Sequence, residues 1–290
     1  MAILVIGGTG QIGSLVVKEL AKRDAEVRVL STRLASELMA GGAQLVTGDV
    51  LDVDFMRGLL RTVSTVFVLN PAVPDELARV FLTLDLIDGA GIKRVVYLSM
   101  MGADRFTDAS RAAAKLAAEQ SIAQRKLPTT ILRPNAVFQN DLMLKEALAD
   151  ERTYGTPIGS VGVTMVDVRD VAEVAALELL RREQSPDPLP TETIDVVGPE
   201  AFTGQTMASL WSDVLGATVT YTGDDLEQVE RGMRKIMPAA SAYDLSLVFR
   251  GILREGVLGA PGAAARIVGM LGRPLRTYRP FAEKMAQTFP

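Results

Sequence analysis

Hydrophobic and polar positions follow two alternating periods along the first half of the chain. Ile3-Leu4-Val5-Ile6 is an unbroken apolar run rich in β-branched side chains, the pattern of a strand buried on both faces. After Gly7-Gly8-Thr9-Gly10-Gln11-Ile12-Gly13 the apolar residues recur at helical spacing to about Arg23. The same alternation predicts strands at 26–30, 43–47, 65–69, 91–99 and 129–134, separated by helices at about 34–40, 53–60, 75–90 and 110–124. Strands alternating with helices predict an α/β fold with a doubly wound parallel sheet, and right-handed crossovers bring the carboxyl ends of its strands to one edge.

The alternation loosens beyond residue 134. Residues 135–149 read as helical, 151–162 as a loop rich in Gly and Pro, 163–166 as a strand, and 185–190, with its three prolines, as a loop. Further strands are predicted at 193–197 and 217–221, with Thr203 capping a helix through Leu215, and the chain from Asp224 reads as mostly helical. The pattern therefore predicts a doubly wound first domain over 1–150, the part that begins with the glycine-rich turn. A smaller, mostly helical, substrate-binding region would span 151–290, partly interwoven with it.

Composition narrows the chemistry. A chain of 290 residues can bury a large core and fits one or two domains. Its 31 basic and 35 acidic residues are scattered, so no basic patch points to nucleic acid. There is no cysteine and no histidine, which removes disulfides, thiolate nucleophiles, the commonest metal ligands and the commonest general base. No metal is expected, and any proton transfer falls to Lys, Tyr, Asp, Glu, a hydroxyl, water or a cofactor. A strand beginning at Ala2 leaves no room for a leader and no apolar run is long enough to span a bilayer, so a soluble cytoplasmic protein that takes a small-molecule substrate is expected.

The glycine-rich turn carries the strongest motif. Gly7 permits a tight turn, Gly10 lets a pyrophosphate approach the backbone, and Gly13 lets the first helix pack against its strand. The helix start, with Thr9, Gln11 and Ile12 around it, offers free N–H groups and a positive dipole end. The second strand ends at Ser31-Thr32-Arg33 without the carboxylate that would hold an unphosphorylated ribose, and its hydroxyls and guanidinium suit a 2′-phosphate. This predicts NADP(H), the alternative being a solvated arginine at a strand end. Asn70-Pro71 turns beside the same cleft after the fourth strand. Asp52 fits an ordinary helix N-cap.

The GxxGxxG spacing resembles the short-chain dehydrogenase/reductase superfamily, particularly its extended and atypical members. That resemblance implies Asp49 near the adenine, Ser99 after the fifth strand and Lys115 on the next helix, with a tyrosine four residues before the lysine. Here that position is Arg111, and a guanidinium cannot serve as the acid–base. Lys115 would hold the nicotinamide ribose, or only pair with Glu119 at the surface.

Together with Lys115-Leu116-Ala117-Ala118-Glu119, Thr130-Ile131-Leu132-Arg133-Pro134, Asn140, 166–172, 198–203 and 272–277, these motifs identify the chain as similar to the NmrA-like family of atypical short-chain dehydrogenases/reductases. That family includes NADPH-dependent quinone, azo-dye and triphenylmethane-dye reductases, and also non-catalytic dinucleotide sensors. Two readings follow. In one, an NADPH-dependent reductase passes hydride to a quinone-like or other conjugated electrophile, whose delocalised charge needs no strong acid, with Ser99, Lys115 and Asn140 near the chemistry. Met100, Met101, Phe138 and Met143 are its candidate pocket walls, or simply core. In the other, the protein is an NADP(H)-binding redox sensor.

Overall fold

A computed structural model describes residues 2–32, 42–71 and 73–289. In chain order the first elements are β1 (Ala2–Ile6), α1 (Gln11–Ala21), β2 (Val27–Ser31), β3 (Gln44–Thr47), α2 (Val53–Leu60), β4 (Val63–Val68), α3 (Glu76–Gly89), β5 (Val95–Leu98), α4 (Ser110–Gln124) and β6 (Thr129–Pro134). They match the elements predicted from hydrophobic period, with ends shifted by a few residues. The helix predicted at 34–40, like Arg33, lies outside the described residues. Asp52 caps α2 as expected, its carboxylate accepting from Phe55 N at 3.0 Å.

The later chain departs further from expectation. Residues 135–149 form a short 3-10 turn (Phe138–Leu144) that leads into a π-helical turn (Ala147–Glu151). The strand expected at 163–166 is absent as a strand: Val163 makes isolated bridges to Phe202 and Val257, and Val166 makes one to Val137. Three apolar residues around the half-buried Thr164 also fit this largely buried connection, because hydrophobic period reports burial before hydrogen-bonding pattern. The remaining elements are β7 (Thr153–Tyr154), α5 (Val168–Gln184), β8 (Glu192–Val196), α6 (Gly204–Leu215), β9 (Thr220–Tyr221), α7 (Leu226–Met233), α8 (Ala239–Glu255), α9 (Ala263–Leu271) and α10 (Tyr278–Ala286). Thr203 caps α6 in a reciprocal capping box with Thr206.

Among the described residues, seven strands make one sheet in the order β3-β2-β1-β4-β5-β6-β8, and β7 pairs with β9. The pairings β1 to β2, β1 to β4, β2 to β3, β4 to β5 and β5 to β6 are all parallel. The chain builds outward from β1 to β3, then returns to lay β4 on the other side of β1. That reversal opens a crevice at the carboxyl ends of β1 and β4.

The chain divides into two compact units. The first comprises Met1–Met100, Ala114–Arg133 and Val168–Ile194, and the second Met101–Ala113, Pro134–Asp167 and Asp195–Pro290. This differs from a cut at residue 150. Residues 101–113 and 134–150 fall in the second unit and 168–194 return to the first, because α5 packs on α1. In the first unit Ala2, Leu4 and Ile6 of β1 share one core with Met56 of α2 and Val80, Leu84 and Ile87 of α3. Ile3 and Val5, fully buried on the opposite face, complete a strand covered on both sides. Among the described residues no helix is long and apolar enough to cross a membrane.

The second unit is organised around a buried carboxylate. Asp141 accepts hydrogen bonds from Tyr278 (2.6 Å), Thr156 (2.8 Å) and Tyr154 (2.9 Å), and Trp211 Nε1 donates to the Tyr278 hydroxyl at 3.2 Å. Burial pushes the Asp141 carboxyl up to about 6 against the downward pull of these hydroxyls. A group whose folded value exceeds its unfolded value holds more protons when folded, so the resulting stabilisation is present below the unfolded value and is lost as pH rises through the folded one. Between about pH 4.5 and about pH 7 the wild type should therefore lose about 2 kcal/mol relative to Asp141→Asn. Urea unfolding of both proteins across that range checks this; parallel pH profiles would refute it.

Candidate functional site

The crevice at the reversal point is a cleft of about 350 Å³ within the first unit. Ile6 and Gly7 close β1 on its floor, Leu30, Ser31 and Thr32 come from the end of β2, Gly48, Asp49 and Val50 from the turn after β3, and Leu69, Asn70 and Pro71 from the turn after β4. Thr9 and Gly10 complete the glycine turn, and Arg79 reaches in from α3. The walls thus come from the carboxyl ends of four neighbouring strands, where an open α/β sheet binds its ligand.

The glycine turn is built on close backbone approach. Gly7 has φ of +78°, and a Cβ there would stand 2.3 Å from Leu69 O. A Cβ on Gly13 would stand 2.1 Å from Gly7 O, so the first turn of α1 lies directly on the turn that precedes it. Gly10 is different: the nearest atom to its added Cβ is Gly7 O at 3.4 Å. Gly10 is also the N-cap of α1 with no side-chain cap, and no acidic residue occupies the first turn with Gln11 and Ile12. Gly10 N itself donates to Gly7 O at 3.1 Å, and the N–H groups of the first turn of α1 are the ones turned to solvent or to an anion.

Asn70 carries the clearest sign of a ligand site. It is 4% exposed, it lines the cleft, and among the described residues neither its amide nitrogen nor its amide oxygen has a hydrogen-bond partner. A buried amide lacking both bonds is costly, and a ligand offering a donor and an acceptor would satisfy it. A helix start suited to an anion, a glycine-rich turn and this amide together fit the phosphates and sugar of a dinucleotide.

Beside the cleft, at the end of β5, the residues expected to act on substrate are tightly committed. Ser99 donates its hydroxyl proton to Glu119 Oε1 at 2.5 Å, and Glu119 is gripped by Arg133 through Nε at 3.0 Å and Nη2 at 2.5 Å. Ser99 can still accept a bond, while its proton is engaged by Glu119. Glu119 is therefore no surface partner of Lys115. Lys115 instead meets Glu76, at the start of α3, at 2.8 Å and the Leu98 carbonyl at 3.3 Å, with its Nζ 5.4 Å from the centre of the Tyr97 ring. An ammonium has three N–H bonds, so one remains for a ligand. Tyr97 is no substitute acid: burial, then the nearby Glu76 and Glu119 carboxylates, raise its hydroxyl well above the ordinary tyrosine value.

In the second unit, Arg111, at the position of the absent tyrosine, is absorbed into structure. Asp244 of α8 accepts from Arg111 Nε at 2.6 Å and from Ser110 N and Oγ at 2.5 Å and 2.6 Å, so one carboxylate ties α8 to the start of α4. Burial raises Asp244, but the bonds from Ser110 and Arg111 outweigh it and hold its carboxyl below the usual range. Of the expected pocket walls, Phe138 is instead fully enclosed, its ring 5.1 Å from Tyr278 and 6.1 Å from Phe281. Met101 is buried, Met100 half-buried, and Asn140 and Met143 exposed.

Arg79 was not anticipated from the sequence. Its Nη1 bonds Asp49 Oδ1 at 2.9 Å and its Nε bonds Asp75 Oδ2 at 2.8 Å. The i,i+4 spacing of Asp75 and Arg79 was a legible signal, but only the fold sets α3 beside the turn after β3. A second cleft, of about 380 Å³ at the opposite edge of the sheet, is lined by Arg61, Lys93 and Arg94. These cations follow the last turns of α2 and α3, where they balance the helix dipoles.

Comparison with known proteins places this geometry in a family. Residues 1–251 match the model of the NmrA-like family. The chain is 29% identical to an NAD(P)H azoreductase from Xenophilus azovorans over 290 residues, covering 99% of each chain. It is 28% identical to a (4-alkanoyl-5-oxo-2,5-dihydrofuran-3-yl)methyl phosphate reductase from Streptomyces griseus subsp. griseus over 296 residues, again covering 99% of each. Among solved structures, an NADPH-dependent quinone oxidoreductase from Escherichia coli in complex with NADPH superposes with a TM-score of 0.85 at 19% identity, covering 98% of this chain and 99% of that one. That last likeness is one of fold. With the family model spanning most of the sequence, and the glycine turn, Lys115, Glu119 and Arg133 grouped in the first unit, the chain belongs to the NmrA-like family.

Proposed function

We propose that this protein is an NADPH-dependent reductase acting on a conjugated electrophile: a quinone, an azo compound or an activated enone. The observation that carries the reading is the buried, unpartnered amide of Asn70 in the cleft beside the glycine turn. Two relatives of nearly the same length are named as reductases, and their substrates, an azo compound and an unsaturated lactone, both contain a conjugated acceptor. Bound in the cleft, the reduced nicotinamide would supply hydride. The chain's own residues hold it: Gly7, Thr9, Gly10 and the start of α1 at the pyrophosphate, Ser31, Thr32 and Arg33 at the 2′-phosphate, Asp49 at the adenine, and Asn70, Pro71 and Lys115 towards the nicotinamide ribose.

The committed bonds of Ser99, the absence of a tyrosine at 111 and the raised Tyr97 leave Lys115 as the available donor near β5. A conjugated acceptor spreads the incoming charge and tolerates so sparse a donor set better than a simple ketone. The experiment is to add azo dyes, quinones and enones to the protein with NADPH, and separately NADH, and follow reduced-nicotinamide absorbance. Consumption with at least one class, faster with NADPH, is expected. Tight NADPH binding with no consumption across the panel would overturn the reductase and leave a dinucleotide-binding sensor, the role Arg111 favours.

A further inference from the structure

Resting on the reading of the cleft as an NADPH site, we propose that Arg79 is a positioning residue that sets Asp49 to recognise the 6-amino edge of the dinucleotide's purine. Asp49 stands in the turn after β3, on the cleft wall, with its side chain 40% exposed. Two donors meet it, Leu51 N at 3.0 Å and Arg79 Nη1 at 2.9 Å, and both fall on the same oxygen, Oδ1. No described residue bonds Oδ2. One oxygen is thus anchored from its own turn and from α3, and the other is presented with its full acceptor capacity.

Arg79 is itself held, because Asp75 takes its Nε at 2.8 Å from one helical turn away. The planar guanidinium therefore bridges two carboxylates at defined angles, which a flexible ammonium would not reproduce. Counting Asp49, Asp75 and Arg79, this corner carries one net negative charge, so it offers nothing extra to a ribose phosphate. What it offers is an acceptor. A carboxylate oxygen accepts from an exocyclic amine and repels a keto oxygen, so the corner favours adenine over a 6-oxopurine.

The test measures binding, not turnover. NADPH and its 6-oxo analogue, reduced nicotinamide hypoxanthine dinucleotide phosphate, are titrated against wild type, Asp49→Ala, Arg79→Met and Arg79→Lys, with melting temperature recorded for each. The wild type should prefer NADPH by about tenfold, the effect of one partly exposed charged hydrogen bond. Asp49→Ala should bind both analogues equally. Arg79→Met should lose most of the preference at unchanged melting temperature, and Arg79→Lys should recover only part of it. Equal affinity in the wild type, or a full preference retained in Arg79→Met, would overturn the proposal. If neither dinucleotide binds the wild type, the cofactor reading itself falls, and the proposal with it.

Discussion

Gly13→Ala is expected to cost about 4 kcal/mol or more and to abolish dinucleotide binding, whereas Gly10→Ala should leave stability near wild type and weaken binding alone. The difference lies in what the new methyl group meets. At Gly13 it would stand 2.1 Å from Gly7 O and 2.7 Å from Gly7 C, backbone atoms with no rotamer to escape into. Gly7 cannot retreat, because its own Cα faces Leu69 O so closely that a Cβ there would lie 2.3 Å away. Relief would require α1 to lift from the sheet, giving up its packing on α5 and the buried Val16, Val17 and Leu20. At Gly10 the nearest atom is 3.4 Å away, ordinary contact, so the methyl group fits the protein and fills the space a pyrophosphate would occupy. Chemical denaturation and NADPH titration of the two variants separate the effects. A Gly13→Ala protein as stable as wild type, or a Gly10→Ala protein with undiminished affinity, would contradict this account.

Glu119→Ala should destabilise the first unit by about 4 kcal/mol, the range for removing one partner from a buried charged network. Glu119 is 8% exposed and accepts from Ser99 and from two nitrogens of Arg133. Its removal takes the carboxylate from a guanidinium that is only 21% exposed and leaves the 4%-exposed Ser99 without the acceptor of its proton. The pair Glu119→Leu with Arg133→Met should recover much of the loss, since replacing both charges by apolar groups removes the half-buried guanidinium as well as the bridge. Urea unfolding of the single and double variants is the check, and a double variant no better than Glu119→Ala would place the cost in packing instead. Because Ser99 directly follows β5 and Leu98 O holds Lys115, the single variant should also disturb the site, whereas the double variant separates stability from position.

Most of the sheet was legible along the chain, and for a physical reason. Strands such as Ile3–Ile6 and Val95–Leu98 are buried on both faces, and glycine, proline and N-cap residues such as Asp52 and Thr203 mark where they and the helices stop. The cleft was legible to the same extent: Gly7, Thr9, Gly10, Ser31, Thr32, Asp49, Asn70 and Pro71 all lie on its wall, because the carboxyl ends of parallel strands converge wherever the alternation of strand and helix holds. Residues 163–166 misled, since an apolar run records burial and not whether a neighbouring strand is within hydrogen-bonding reach.

By itself, then, the sequence determined the order of the described strands and helices from β1 to β6, the place of a cleft at the carboxyl ends of those strands, and the absence of any histidine or cysteine chemistry, whereas α5 and the reversal of strand order appeared only in the fold. Tertiary structure decided the partners. Lys115 has Glu119 one helical turn away yet pairs with Glu76, 39 positions back; Glu119 serves Ser99 and Arg133; and Arg79 meets Asp49 across 30 positions. Local spacing restricts which side chains share a helix face, but a buried charge goes to whichever opposite charge and hydrogen-bond donors the packed sheet brings within about 3 Å, and that choice exists only once the chain has folded.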